Sequence, residues 1–433
     1  MPGHASKKSF GPGSSFRQRG PRGPTGPTRP PVGPPEPDLK QAERLLLRML
    51  ALPGRSGQER MVLEFIAQKL RAAGVPKSAI LWDPVHQRSP LGGQVGNLVV
   101  RLPGTLRGGR RMLMAHVDTV PLCVGARPVR RGEMIVPADS HTALGADNRA
   151  GAAVILSAAL EVLQQRLPHP PLVFLWTVQE EVGLLGARFA KIGLLGKPKL
   201  AFNFDGGASH KITIGATGAQ RMRIRILGQA AHAGVAPQDG VSAIAVAGLA
   251  IAWLQQHGWH GLVEKPEGRG TANIGLIHGG EATNVVTPEV QLQAEARSHD
   301  LTFRRKIVHV FQEAFQRAAA QVRNIHGQQA QILWEEQSDY EAFRLADDEP
   351  CLLAAEAAVR SVGATPERTI SQGGLDANWM THRGIPTVTL GCGQVHPHTC
   401  QEYLVLPEFW QACRVALRLA TGTESAGSFP ANS

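Results

Sequence analysis

The sequence predicts an α/β protein, a mostly parallel sheet flanked by helices and interrupted by an inserted α+β domain. Three observations predict it. Between residues 97 and 214, short apolar runs alternate with stretches of helical periodicity. Near residue 215 the texture changes to strand-like alternation around two longer helical stretches, and the first texture returns after Asp339. With 433 residues, 42% of them hydrophobic, the chain is long enough for two or three domains with cores of their own.

The elements follow in order. Leu45, Leu46, Met49 and Leu52 stand at helical spacing within 39–52, and 62–70 repeats the pattern. Residues 97–102 and 111–115 read as strands, 150–163 as a helix, 172–178 as a strand and 200–204 as a buried strand. In the insertion, 220–227, 271–277, 290–298 and 331–336 read as four strands, with helices over 241–255 and 302–322. Helices over 349–362 and 376–382, a strand over 387–390 and a last helix over 407–420 complete the chain. The expected division is a tail over 1–37, a first α/β part over 38–214, the insertion over 215–338, a second α/β part over 339–421 and a tail over 422–433.

Ten of the 31 prolines fall within the first 40 residues, with almost nothing apolar beside them. Such a segment buries too little surface to offset its ordering entropy, so disorder is expected there. The same 40 residues carry seven Lys/Arg against two Asp/Glu, a large share of the net charge of +11. The remainder is too dilute for a nucleic-acid-binding protein. A tail containing Arg and Gly has the composition to touch nucleic acid or a membrane surface, but a solvated tail or a misplaced start codon is the plainer reading. No stretch reaches the ~20 apolar residues of a membrane span, and the N-terminus lacks the pattern of a secretory signal. Five cysteines without a CxxC suit reduced thiols, so a cytoplasmic protein is expected.

Five segments concentrate acids and histidines at the ends of predicted strands. They are His116-Val117-Asp118, Ala146-Asp147-Asn148, Glu180-Glu181, Asp205-Gly206-Gly207 and His396-Pro397-His398. Each alone reads as readily as a turn or a surface loop. In an open parallel sheet, however, the carboxyl ends of the strands line one crevice, so together they point to a shared metal site. Oxygen and imidazole donors without cysteine suit zinc, cobalt or manganese.

The segments HVDTV, LGADNRAG, EEVGLLGA, FDGG, HAGVAPQDG, GGLDANWMTHRGIPTVTLG and HTCQEY, in that order over residues 38–420, resemble the signatures of the M20 metallopeptidases, in the peptidase T (tripeptide aminopeptidase) branch. The resemblance implies a zinc-exopeptidase-like catalytic domain with a ferredoxin-like lid and dimerisation domain. It implies two divalent ions, with His116 and Asp205 on one, Glu181 and His398 on the other, and Asp147 bridging both. His398 is preferred to His396 because it stands at the family's distance from Glu402. Asp118 would orient the His116 ring, Glu180 would be the general base, and a cis peptide is implied at Asp147–Asn148. In the lid, His232, Asn284 and Arg297 match substrate and oxyanion positions of relatives, in some cases across a dimer interface. Taken alone, Arg297 reads as a surface strand residue, and His141, His278 and His299 as ordinary loop residues.

Elementary chemistry agrees with these implied roles. Two cations about 3.5–4 Å apart can share a water, lower its pKa and polarise a scissile carbonyl. His116 and Asp118, two apart on an extended strand, lie on one face. Neighbouring Glu180 and Glu181 point apart, so one can reach metal while the other serves as a base. The expected activity is hydrolysis of a small peptide by a metal-dependent exopeptidase, without nucleic acid or membrane and with a possible homodimer through the lid. The alternatives are an N-acyl amino acid amidohydrolase or carboxypeptidase on the same scaffold, and a non-catalytic binding protein.

Overall fold

The computed structural model of the chain describes residues 33–424. Its main sheet runs in the order Ile80–Asp83, Asn97–Leu102, Leu172–Thr177, Arg111–His116, Leu200–Phe204, Thr387–Leu390, Lys211–Ala216 and Phe343–Arg344, with Glu367–Ser371 also paired to Lys211–Ala216. The four central strands, from Leu172–Thr177 to Thr387–Leu390, are parallel. Toward both margins most pairings are antiparallel, which apolar runs alone do not distinguish.

The central strands are apolar on both sides because helices cover both faces. Leu113 and Ala115 enter one core while Met112 and Met114 enter the other, as the two-residue strand repeat requires. The helix Ala146–Gln164 is buried almost all round, packed between the sheet and the C-terminal helix Leu406–Thr421. Its close seating depends on Gly151, where a Cβ would lie 1.9 Å from the Phe204 carbonyl oxygen. The peptide bond Asp147–Asn148 at its start is cis, as the resemblance implies.

The second sheet is antiparallel, in the order Gly261–Lys265, Gly268–Gly279, Glu289–Ser298, Gly218–Leu227 and Gln331–Tyr340. It has five strands where the sequence predicts four. The fifth, Gly261–Lys265, has one buried side chain, Val263, and so lacks a readable alternation. Met222, Ile224 and Ile226 face the helices Ala243–Gln256 and Leu301–Gln321, while Arg221, Arg223 and Arg225 face outward. Those helices begin on side-chain caps, Ser242 accepting from Ala245 N and Asp300 from Thr302 N and Phe303 N. A small third sheet joins Gln394–Val395 and Tyr403–Val405 to the hairpin Pro128–Arg131 and Met134–Pro137. It carries the loop that holds His398.

The expected tails need correction at their inner ends. Residues 1–32 and 425–433 lie outside the described ones. Glu36, expected in the N-terminal tail, pairs with Arg414 at 2.9 Å and with buried Arg418 at 2.5 Å. Glu424, expected in the C-terminal tail, pairs with Arg111 at 2.8 Å. A carboxylate facing a partly buried guanidinium is enough to fix a segment whose composition alone suggests freedom.

Candidate metal centre

Strand ends bring the predicted acids and histidines together. His116 ends its strand, Asp118 follows two residues later, Asp205 follows the strand Leu200–Phe204, and Glu180 and Glu181 follow Leu172–Thr177. Asp147 enters from the start of its helix, and His398 from the loop of the small sheet. His116 Nε2 lies 3.2 Å from Asp147 Oδ1 and 3.8 Å from Asp205 Oδ2. His398 Nε2 lies 3.2 Å from Asp147 Oδ2 and 2.8 Å from Glu181 Oε2. Two triads of potential donors result, His116/Asp147/Asp205 and Asp147/Glu181/His398, each with its donor atoms within 4.8 Å of one another. Asp147 belongs to both, one oxygen to each. His396, the rival of His398, instead sets its ring edge-on to Tyr403 and joins neither triad.

The donor set fits a pair of divalent cations. Glu181 Oε1 is buried without a hydrogen-bond partner, a costly arrangement for a carboxylate oxygen unless a cation satisfies it. The proton balance agrees. Burial pulls the His116 imidazole down, but Glu180, Asp118, Asp147 and Asp205 more than offset it and hold the ring well above its ordinary value. Asp147 and Glu181 hold His398 up at about 10. Burial pushes Glu181 up to about 7 and Asp205 up to about 6, although His398 and His116 oppose these rises. Burial pushes Asp147 up as well, yet its hydrogen bonds to the two histidines hold it far below the usual carboxylate range. Glu180 is pushed well above its ordinary value by burial, with His116 opposing and Asp205, Asp376 and Glu181 adding to it. Four carboxylates crowd around two imidazoles here, and cations bound among them would relieve the crowding.

Around the triads lies a layer of groups that hold backbone. Asp118 Oδ1 accepts from Glu180 N at 2.9 Å and lies 3.4 Å from His116 Nδ1. Its Oδ2 accepts from Ser56 Oγ at 2.7 Å and from Glu181 N at 3.2 Å. Glu59, wholly buried, accepts from Gln179 N at 3.1 Å, where the chain turns through a φ of 56°. Glu402 accepts from Gly145 N at 2.7 Å and Asp147 N at 2.9 Å. Gln394 donates to Asp205 Oδ1 at 3.3 Å, and Asp376 accepts from Thr177 Oγ1 at 2.5 Å. Sequence reasoning assigns no role to Ser56, Glu59, Asp376 or Gln394. Glu402 enters it only as a spacing mark, and Asp376 only as a letter of GGLDAN.

The lid residues stand elsewhere. His232 is exposed, and its Nδ1 accepts from Gly234 N and Val235 N, which leaves Nε2 to carry the ring proton when the ring is neutral. Residue 232 bridges Val285, next to exposed Asn284. Arg297 is held by Glu295 through both carboxylate oxygens, at 2.9 and 3.1 Å. Among the described residues, none of these three makes a hydrogen bond or ion pair with the triads. His141, His278 and His299 join neither triad.

Comparison with known proteins gives this centre a family. The family description "Peptidase dimerisation domain", of the M20 peptidases, matches residues 214–323, and "Peptidase family M28" matches residues 97–238. The Bacillus subtilis (strain 168) protein described as "Uncharacterized protein YqjE" is 33% identical over 325 residues, covering 75% of this chain and 84% of that one. The crystal structure of aminopeptidase PepT from Bacillus cereus is 30% identical, with a TM-score of 0.76 over 90% of this chain and 99% of that one. That of a tripeptidase from Staphylococcus aureus is 28% identical, with a TM-score of 0.80 over 90% and 100%. With two acid–imidazole triads sharing one aspartate at the strand ends of such a fold, the chain belongs to the M20 metallopeptidases of the peptidase T type and is a metal-dependent hydrolase of peptide bonds.

Proposed function

We propose that the enzyme is an exopeptidase that takes short peptides with a free α-amine, tripeptides among them, and works with two zinc ions. His116 and Asp205 would hold one ion, Glu181 and His398 the other, and Asp147 both. The observation that carries this reading is that the two oxygens of Asp147 face two different histidines, each 3.2 Å away. When bound, the ions supply Lewis acidity to the scissile carbonyl and make a water acidic enough to attack at neutral pH. Cobalt or manganese would suit the same donors.

The chain's own residues do the rest. Glu180 reaches the centre from a turn whose backbone is fixed at residues 179, 180 and 181 by Glu59 and Asp118. Its carboxylate takes the proton of the attacking water and delivers it to the leaving amine nitrogen. Asp118 holds the His116 ring at Nδ1, with its backbone carbonyl at 3.2 Å and its carboxylate at 3.4 Å, which presents Nε2 to the centre. His232, Asn284 and Arg297 of the lid would contact the substrate and the developing oxyanion once the lid closes, within one subunit or across a dimer interface. The dimerisation-domain match over residues 214–323 supports a homodimer built through the lid. Five unpaired cysteines, four of them buried, favour a reducing compartment such as the cytoplasm.

The test pairs metal analysis with two assays. Glu180→Gln is expected to keep both ions while turnover falls roughly 10²–10⁴-fold. Loss of metal instead would mean that the roles of Glu180 and Glu181 are exchanged. A free tripeptide is expected to be cleaved in preference to its N-acetylated form. The opposite preference would replace the aminopeptidase reading with an N-acyl amino acid amidohydrolase.

A further inference from the structure

The lid joins the rest of the chain through two crossings. One is Thr217, between the strands Lys211–Ala216 and Gly218–Leu227. The other is Glu341–Ala342, between Gln331–Tyr340 and Phe343–Arg344. On either side the two passages of chain pair as strands, Ala216 with Phe343 below and Ala219 with Tyr340 above. Between these pairs the ladder lapses. Among the described residues, no backbone hydrogen bond joins Thr217 or Gly218 to Glu341 or Ala342.

Asn378 fills the gap. It sits in the first turn of the helix Asp376–His382 and is 1% exposed. Its amide nitrogen donates to Thr217 O at 3.0 Å and to Glu341 O at 2.8 Å, one hydrogen for each crossing. Its Oδ1 accepts from Leu375 N at 2.9 Å, which fixes the orientation of the amide. Further contacts tie this turn and the Glu341 crossing to their surroundings. Gly374 leaves room for the ring of Tyr340, whose Cζ would lie 2.3 Å from a Cβ there. On the lid side, the Glu341 carboxylate accepts from Arg304 of the helix Leu301–Gln321 and from Ser338 Oγ at 2.7 Å. On the other side, Asp376 holds Thr177, the last residue of the strand that leads into Glu180 and Glu181.

The pairs on either side hold the register, but the unladdered stretch between them can twist, and a lid so attached has more than one way to close. A single buried donor group bonded to both removes that freedom. We propose that Asn378 is a positioning residue that pins the two crossings into one pivot, so that the lid closes over the metal centre along one path. This rests on the reading that lid residues act at the centre. Asn378 itself touches neither triad; it acts through where it lets the lid travel.

The test uses full-length, zinc-loaded enzyme without substrate. Spin labels attached by a non-cysteine chemistry at exposed Lys69 and Gln316 report the distribution of distances between lid and catalytic domain. Asn378→Asp turns an acceptor oxygen toward both carbonyls. It is expected to broaden that distribution and lower kcat on the order of tenfold with a change in KM, while two zinc ions stay bound. A distribution unchanged from the parent enzyme in folded Asn378→Asp overturns the proposal, whatever happens to melting temperature or turnover. If that variant does not fold, Asn378→Ser, which keeps one short donor, is read by the same criterion. The distances do not depend on activity. A parent enzyme that cleaves no peptide would therefore overturn the exopeptidase reading while the pivot is still judged on the distances.

Discussion

Asp118→Asn isolates what the carboxylate behind His116 contributes. The substitution keeps the shape and removes the charge. The new amide has two orientations, and the contacts decide between them. With its nitrogen at the Oδ1 position it would oppose Glu180 N at 2.9 Å and the His116 Nδ1 proton at 3.4 Å. With its nitrogen at Oδ2 it meets Ser56 Oγ at 2.7 Å, which can rotate to accept, and Glu181 N at 3.2 Å, which cannot. The second orientation is cheaper and leaves one buried N–H without an acceptor, about 1–3 kcal/mol. His116 also loses the charge that keeps its ring basic, which in comparable sites lowers metal affinity about 10–100-fold. Two measurements are needed: competition with a chelator of known zinc affinity, and thermal unfolding of the metal-free protein. The expected result is weaker zinc binding by that factor together with a lower melting temperature. An asparagine variant that binds zinc as tightly as the parent would refute the carboxylate's share in orienting the ring, since the backbone carbonyl of residue 118 still faces His116 Nδ1 at 3.2 Å.

Two further outcomes follow from the same geometry. In the metal-free protein His116 and His398 are held above their ordinary values, His398 at about 10, so at neutral pH both carry protons that a metal must displace. Apparent zinc affinity should therefore rise with pH across the neutral range and level off toward about 10, and the heat of binding should vary with the ionisation enthalpy of the buffer; a heat independent of buffer contradicts this proton count. Gly151→Ala places a Cβ 1.9 Å from the Phe204 carbonyl oxygen and 2.4 Å from Asn148 Oδ1, so the helix must shift from the strand that delivers Asp205. A loss of about 1–3 kcal/mol in denaturant unfolding is expected, and parental stability would show that the helix seats more loosely than described.

Much of the centre is legible in the sequence because its donors lie where strands end, and apolar runs mark strand ends well. His116 and Asp205 each follow such a run directly, and Glu181 stands four residues past one. The groups that hold them leave no such mark. Glu59 and Glu402 act on backbone N–H groups 120 and 255 residues away, and neither spacing nor periodicity encodes that distance. Asn378 is similar, an ordinary polar letter in a helix whose partners are two carbonyls of the lid crossings. The fold shows the same division. The long helices and buried central strands carry their own periodicity, whereas Gly261–Lys265 and the strands of the small sheet around Tyr403–Val405 are too short to declare themselves.

The anchoring of Glu36 bears on how the protein should be handled at the bench. Arg418 is 2% exposed in the last helix, and its guanidinium rests on the Pro35 carbonyl and the Glu36 carboxylate. A shortened version that begins at Asp38, where helical periodicity alone would place the cut, strands a cation in an apolar wall and should express or store poorly for reasons unrelated to catalysis. A cleavage tag that leaves Pro35 and Glu36 in place keeps that wall neutral. Two residues with no part in the reaction thus decide where the clone should start.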